Sequence, residues 1–112
     1  MLDLLVHARS PDGSRISLAV AEGRVVEPGG SAREEIDAGD ALLRPAWIDA
    51  HVHFNEPGRA DWEGLSTGSQ ALAAGGGCAF FDMPLNSSPP VVTAEAFREK
   101  RRIAEEKSVL DF

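Results

Sequence analysis

From residue 46 onward, apolar runs of strand length alternate with runs of helical pattern, each separated by glycine or proline. This alternation restricts the chain to an α/β architecture with a parallel sheet. AWIDAHVHF (46–54) reads as an apolar strand interrupted by Asp49, His51 and His53, and EPGRADWEG (56–64) as a loop. Residues 63–74 predict a weakly amphipathic helix despite Gly64 and Gly68. Gly75-Gly76-Gly77 ends it, since glycine takes a left-handed C-cap at little cost. CAFFDM (78–83) predicts a buried strand and PLNSSPP (84–90) a rigid loop. Thr93 is the expected N-cap of a helix over 94–107, with Phe97 and Ile103–Ala104 inward and the REKRR and EEK charges on a solvated face. Residues 108–112 read as the start of another strand.

Before Pro45 the pattern differs. Strand-like runs at 2–7, 15–20 and 24–27, with one more short strand around Ile36-Asp37-Ala38, are divided by turns at Pro11-Asp12-Gly13 and Glu22-Gly23 and by a polar loop opening at Pro28-Gly29-Gly30. Residues 1–44 therefore predict a small β-meander, and residues 45–112 the first β/α units of a larger sheet. The whole chain is 112 residues, one small domain's worth, and it stops on an apolar β-like run. It is expected to be the front part of something longer.

Charge and composition exclude several classes. A net charge of −7, spread evenly, with no basic patch is unsuited to gripping phosphate backbones, so no nucleic-acid partner is expected. There is no run of 18 apolar residues to cross a membrane, and the first residues have no basic n-region of a secretory signal. The lone Cys78 excludes an internal disulfide and fits a reducing cytoplasm. Placed at the start of an apolar strand, it is expected to act as a small apolar filler.

His51-x-His53 is the sharpest chemical feature. On a strand, residues i and i+2 share a face, so both imidazoles project together and can hold one divalent metal. Asp49 lies two residues earlier on that face, positioned as a structural or supporting group, since a carboxylate beside such histidines typically accepts the other ring N–H. An H-x-H also arises by chance. Here the strand is otherwise apolar, a Gly/Pro loop follows at once, and ligands gather at the carboxyl ends of parallel strands.

These residues sit within PAWIDAHVHFNEPGR (45–59), which resembles the cyclic amidohydrolases of the dihydroorotase–allantoinase group. Thr67-Gly68, the Ala-rich helix into Gly75-Gly76 and DMPLNSSPP (82–90) agree with the same group. Three details favour the allantoinase form. Phe54-Asn55 stands where dihydroorotases carry Leu-Arg, PGRxxWEG (57–64) has the allantoinase pattern, and Leu85 separates Pro84 from Asn86. A hydantoinase or dihydroorotase relative is the near alternative. Ala46 departs from the group's usual glycine.

The resemblance implies a TIM-type (β/α)₈ barrel preceded by part of a small β-sandwich, and a metal-dependent hydrolase that opens a cyclic amide, allantoin to allantoate. It assigns His51 and His53 to one metal of a zinc-type pair, which activates a water and polarises the ring carbonyl. It makes Asn86 a substrate-binding residue for a cyclic ureide or imide; a loop-capping role for Asn86 is equally compatible with its neighbours. No catalytic base is expected within this chain. A full site needs a bridging lysine, two more histidines and a late aspartate, whereas Lys100 and Lys107 fall on the charged helix and His7 in the meander, as a surface or core residue. The expected partners are the cyclic substrate and either a second copy or the remaining barrel portion. A different class stays open: a truncated, non-catalytic interaction module. Arg59 is expected to pair with Glu56 or Asp61, and Trp62 to pack its loop.

Overall fold

The computed structural model describes residues 1–112, which form two compact units, Met1–Pro45 and Ala46–Phe112. In the first, β1 (Leu2–Arg9), β2 (Arg15–Ala21), β3 (Arg24–Val26) and β4 (Ala32–Leu42) make one sheet in the order β3-β2-β1-β4. The first hairpin closes at Gly13, whose φ of +87° suits glycine, while the Asp12 carboxylate accepts the Ser14 N–H at 2.9 Å. β2 is antiparallel to both β1 and β3.

The meander expectation fails at β4. That strand is eleven residues long and runs parallel to β1, on the edge opposite β2. The physical reason is that β1 has a second edge left unpaired by β2, and the polar loop after β3 lets the chain cross to it. The charged content of β4 hid its length. His7 joins the strands: Nδ1 lies 2.8 Å from Ser17 Oγ and Nε2 3.0 Å from Glu35 Oε1. Only Leu2, Ala8 and Ala19 are buried apolar residues here.

In the second unit β5 (Trp47–Val52) and β6 (Gly77–Asp82) pair in parallel, with α1 (Leu65–Ala74) connecting them and α2 (Ala94–Lys107) following. Asp111 then bridges in parallel to Ala79, and the Phe80 N–H donates to Asp111 O at 3.1 Å, so the terminal run lies beside β6 as a strand would. The chain is thus mixed α/β. Neither helix is long and apolar enough to cross a membrane.

The core of this unit is Phe54, Leu65, Phe80, Ile103 and Ala104, flanked by Val52, Leu72 and Leu110. Phe54 meets Phe80 edge-on at 4.8 Å between ring centres. Gly68, a weak residue for a helix by propensity, is required by this packing: a Cβ there would fall 2.3 Å from the Phe54 ring. The end of α1 is closed by Gly75 in ordinary helical geometry and Gly76 at φ +89°, with Trp47 Nε1 donating to Gly75 O at 3.2 Å. Thr93 caps α2, accepting the Ala96 N–H at 3.2 Å. Ala46 has no left-handed backbone, so the missing glycine costs nothing there.

Three expectations for this unit are corrected. β6 is not buried on both faces: Phe80 fills the core beneath the helices, while Phe81 on the other face is 62% exposed. Cys78 is exposed and fills no core space, although Gly77 beside it is buried. Phe97 is 56% exposed and borders an open cleft of about 630 Å³ with Met83, Val91 and Phe112. Lys100 takes the inward position instead.

Candidate metal centre

β5 carries His51 and ends at Val52, short of the expected 46–54 span, so His53 is the first residue beyond the strand's carboxyl end. Their rings face each other, 5.2 Å between centres, with Nε2 to Nε2 at 3.2 Å. One ring can donate to the other in the metal-free protein. Asp49 lies on the same strand, but its Oδ1 accepts the His51 backbone N–H at 3.1 Å and not a ring nitrogen. No cluster of three or more His, Cys, Asp or Glu side chains forms around the pair.

The two rings fit part of a metal site. With metal–nitrogen bonds of ~2.0–2.1 Å, tetrahedral coordination sets two ligand nitrogens ~3.3 Å apart, close to the separation found. His53 Nδ1 is buried and has no hydrogen-bond partner. When Nε2 binds a metal, Nδ1 carries the proton and normally donates it to a neighbour. The pair therefore supplies two ligands and leaves both further ligands and a partner for His53 to come from elsewhere.

The loops beyond β5 and β6 converge at this end. Met83 N donates to Val52 O at 2.8 Å, and Ser88 N to Pro57 O at 2.7 Å. Gly58, at φ +88°, allows the approach, since a Cβ there would lie 2.4 Å from Ser88 O. Asn86 sits in the second loop, exposed, at φ +71°. Arg59 reaches its carbonyl at 3.4 Å and lies 4.8 Å above the Trp62 ring. Arg59 thus bridges the two loops and pairs with neither Glu56 nor Asp61. Trp62 is 65% exposed under that guanidinium, so it does not pack the loop inward.

Three charged residues acquire places that the sequence reading did not give them. Glu56 is buried; its Oε2 accepts the Leu65 N–H at 2.8 Å, serving the first turn of α1 where Gly64 has no side chain, and its Oε1 pairs with Lys107. Burial pushes the Glu56 carboxyl up, but Lys107, the Leu65 N–H and the charge of Lys100 outweigh it and hold it below the usual value. Asp82 and Lys100 form a buried ion pair at 2.8 Å, their side chains 9% and 10% exposed, in a contact short of hydrogen-bond alignment. Asp82 Oδ1 also accepts the Phe54 N–H at 3.1 Å. The solvated-face expectation therefore fails for Lys100; Lys107 stays on the exposed face and reaches Glu56 from there. The signal was present: Lys100 follows Phe97 by three and precedes Ile103 by three, inside the apolar stripe.

The chain is 47% identical to an allantoinase of Deinococcus radiodurans over 119 aligned residues, covering 99% of this chain and 27% of the relative. It is 50% identical to an allantoinase of Desulfitobacterium hafniense, over 91% of this chain and 24% of that one. Over nearly its whole length the chain is similar to these allantoinases. An L-hydantoinase (dihydropyrimidinase) from Arthrobacter aurescens has the same fold over the matched part, with a TM-score of 0.83 and 28% identity, covering 100% of this chain and 27% of that structure. No family model matches. The chain spans about a quarter of the length of the curated relatives it matches.

Proposed function

We propose that this chain is the N-terminal portion of a metal-dependent hydrolase that opens a cyclic amide, with allantoin as substrate, and that its second unit supplies the first β/α units of a (β/α)₈ barrel. The observation that carries the reading is the convergence of His51 and His53 Nε2 at 3.2 Å at the end of β5, within a chain so similar to allantoinases. A bound divalent ion, zinc being the best match to two imidazoles, would supply a water of lowered pKa and polarisation of the ring carbonyl. The chain's own residues do the rest of what is assigned here. His51 and His53 hold the ion, Asn86 offers its amide to the ureide edge from the adjoining loop, and Arg59 ties that loop to the one after β5. Asp49 keeps the His51 backbone in place.

The exposed Phe81, Phe97 and Phe112 support pairing of the second unit with the remaining barrel portion or with another copy, which is also how a non-catalytic interaction module would use them. The lone Cys78, exposed and unpaired, suits a cytoplasmic setting. The test is a chimera in which these 112 residues replace the matching segment of the Deinococcus radiodurans allantoinase. It should open allantoin in preference to hydantoin and dihydroorotate, and lose that activity in His51→Ala. A folded, metal-loaded chimera without ring opening, or one preferring either other ring, would refute the proposal.

A further inference from the structure

β5 ends at Val52, whose carbonyl accepts the last inter-strand bond from Met83 N. His51 is inside the strand and held by it; His53 is outside. Two residues later Asn55 takes φ +36° and the backbone leaves the strand direction. Something other than the sheet must keep His53 in register with His51. The peptide that follows His53 is fixed by Asp82, whose Oδ1 accepts the Phe54 N–H at 3.1 Å. Asp82 is in turn fixed by Lys100 at 2.8 Å, both groups nine-tenths buried.

We propose that Asp82 is a positioning residue for the imidazole pair, holding His53 through the Phe54 N–H, with Lys100 as the counter-ion that keeps its carboxylate in place. The inference rests on the metal reading of His51 and His53 but assigns a residue outside it. A buried ion pair adds little net stability over an apolar pair of similar volume, so its value here lies in direction. An apolar residue at 82 could fill the space and could not accept an N–H. The ring of Phe54, packed between Gly68 and Phe80, fixes the same residue from its other end.

The experiment compares two double variants of the 112-residue chain, both lacking the buried charges. Asp82→Asn/Lys100→Met keeps an oxygen for the Phe54 N–H; Asp82→Leu/Lys100→Met removes it. Each is titrated with Co²⁺, read by its visible absorption, and its histidine ring nitrogens are followed by NMR without metal. The Asn/Met variant should keep the parent's Kd within about twofold and the ring signals of the Nε2 contact. The Leu/Met variant should bind at least tenfold more weakly and lose those signals at a matched urea midpoint. Parent-like rings and Kd in Leu/Met would overturn the proposal, as would an equal loss in Asn/Met. If Leu/Met does not fold, Asp82→Ser/Lys100→Met, too short to reach Phe54, takes its place. If the parent itself binds no Co²⁺ through His51 and His53, the metal reading fails, and the metal-free ring signals alone decide the role of Asp82.

Discussion

Replacing Gly68 by alanine should destabilise the second unit, although alanine is the better helix former. In an open helix position the exchange would gain ~1 kcal/mol. Here the new Cβ would lie 2.3 Å from Phe54 Cε1 and 2.4 Å from Cδ1. Comfortable carbon–carbon contacts are at ~3.5–4.0 Å, so the overlap exceeds ~1 Å. The ring has nowhere to go: it is 7% exposed, packs on Phe80 at 4.8 Å, and its backbone is held by Asp82. Overpacking costs ~1–3 kcal/mol, and an overlap of this size against an immobile ring belongs at the upper end. Subtracting the propensity gain leaves a net loss of ~2 kcal/mol, or ~8 °C in Tm for a chain of this length. Urea and thermal unfolding followed by circular dichroism measure it. The penalty should shrink by at least ~1 kcal/mol in a Phe54→Leu background, where the clashing ring is gone. A Gly68→Ala chain as stable as the parent, or an equal penalty in both backgrounds, would refute the reasoning.

Glu56 should make stability fall in acid. Its pKa is lowered by folding, so its contribution is fully present above the unfolded value, near the ordinary 4.5, and is lost as pH drops through the folded value. Glu56→Gln should cost ~1 kcal/mol at pH 7, discounted because Lys107 is half-exposed, and the gap should narrow as pH falls below 4.5 and close once it passes the lowered folded value; a gap independent of pH would contradict this. Lys100→Ala should cost ~3–5 kcal/mol in urea unfolding, since it strands the buried Asp82 charge; a loss under ~1 kcal/mol would show that the pair is solvated. The 112-residue chain alone, with Zn²⁺, Mn²⁺ or Co²⁺, should not open allantoin, hydantoin or dihydroorotate, and turnover above a His51→Ala/His53→Ala blank would show that two histidines suffice.

What could be read in the sequence followed from local rules. The strand–helix alternation after Pro45, the Thr93 cap and the glycine stop after α1 depend on near neighbours, and each is found close to its expected position. The meeting of the imidazoles was legible in the i, i+2 spacing, although the strand ends at Val52 and His53 lies one residue beyond it. What was missed depends on distant residues. β4 is a strand because β1 has a free edge, which no period within its charged sequence reveals. Lys100 and Glu56 are polar residues whose inward course is decided by Asp82, eighteen residues before the first, and by Lys107, fifty-one after the second. Phe97 and Phe81 carry apolar side chains to faces left open, where pattern alone says they should be covered.

The packing and the candidate site in the second unit are one mechanical assembly. Gly68 on α1 admits the Phe54 ring; the Phe54 N–H is held by Asp82 at the end of β6; Asp82 is held by Lys100 on α2. His53 is the residue immediately before this junction, and its ring meets that of His51. Each link is a contact that either forms or clashes, so a disturbance on α1 cannot be absorbed as it would be on a loose surface. Had the histidines been carried by an independent loop, their separation would vary with the loop's motion. With His51 held in β5 and His53 one residue ahead of a peptide fixed from two helices and a neighbouring strand, the rings can keep a ligand spacing before any metal arrives, which lowers the ordering that binding must supply.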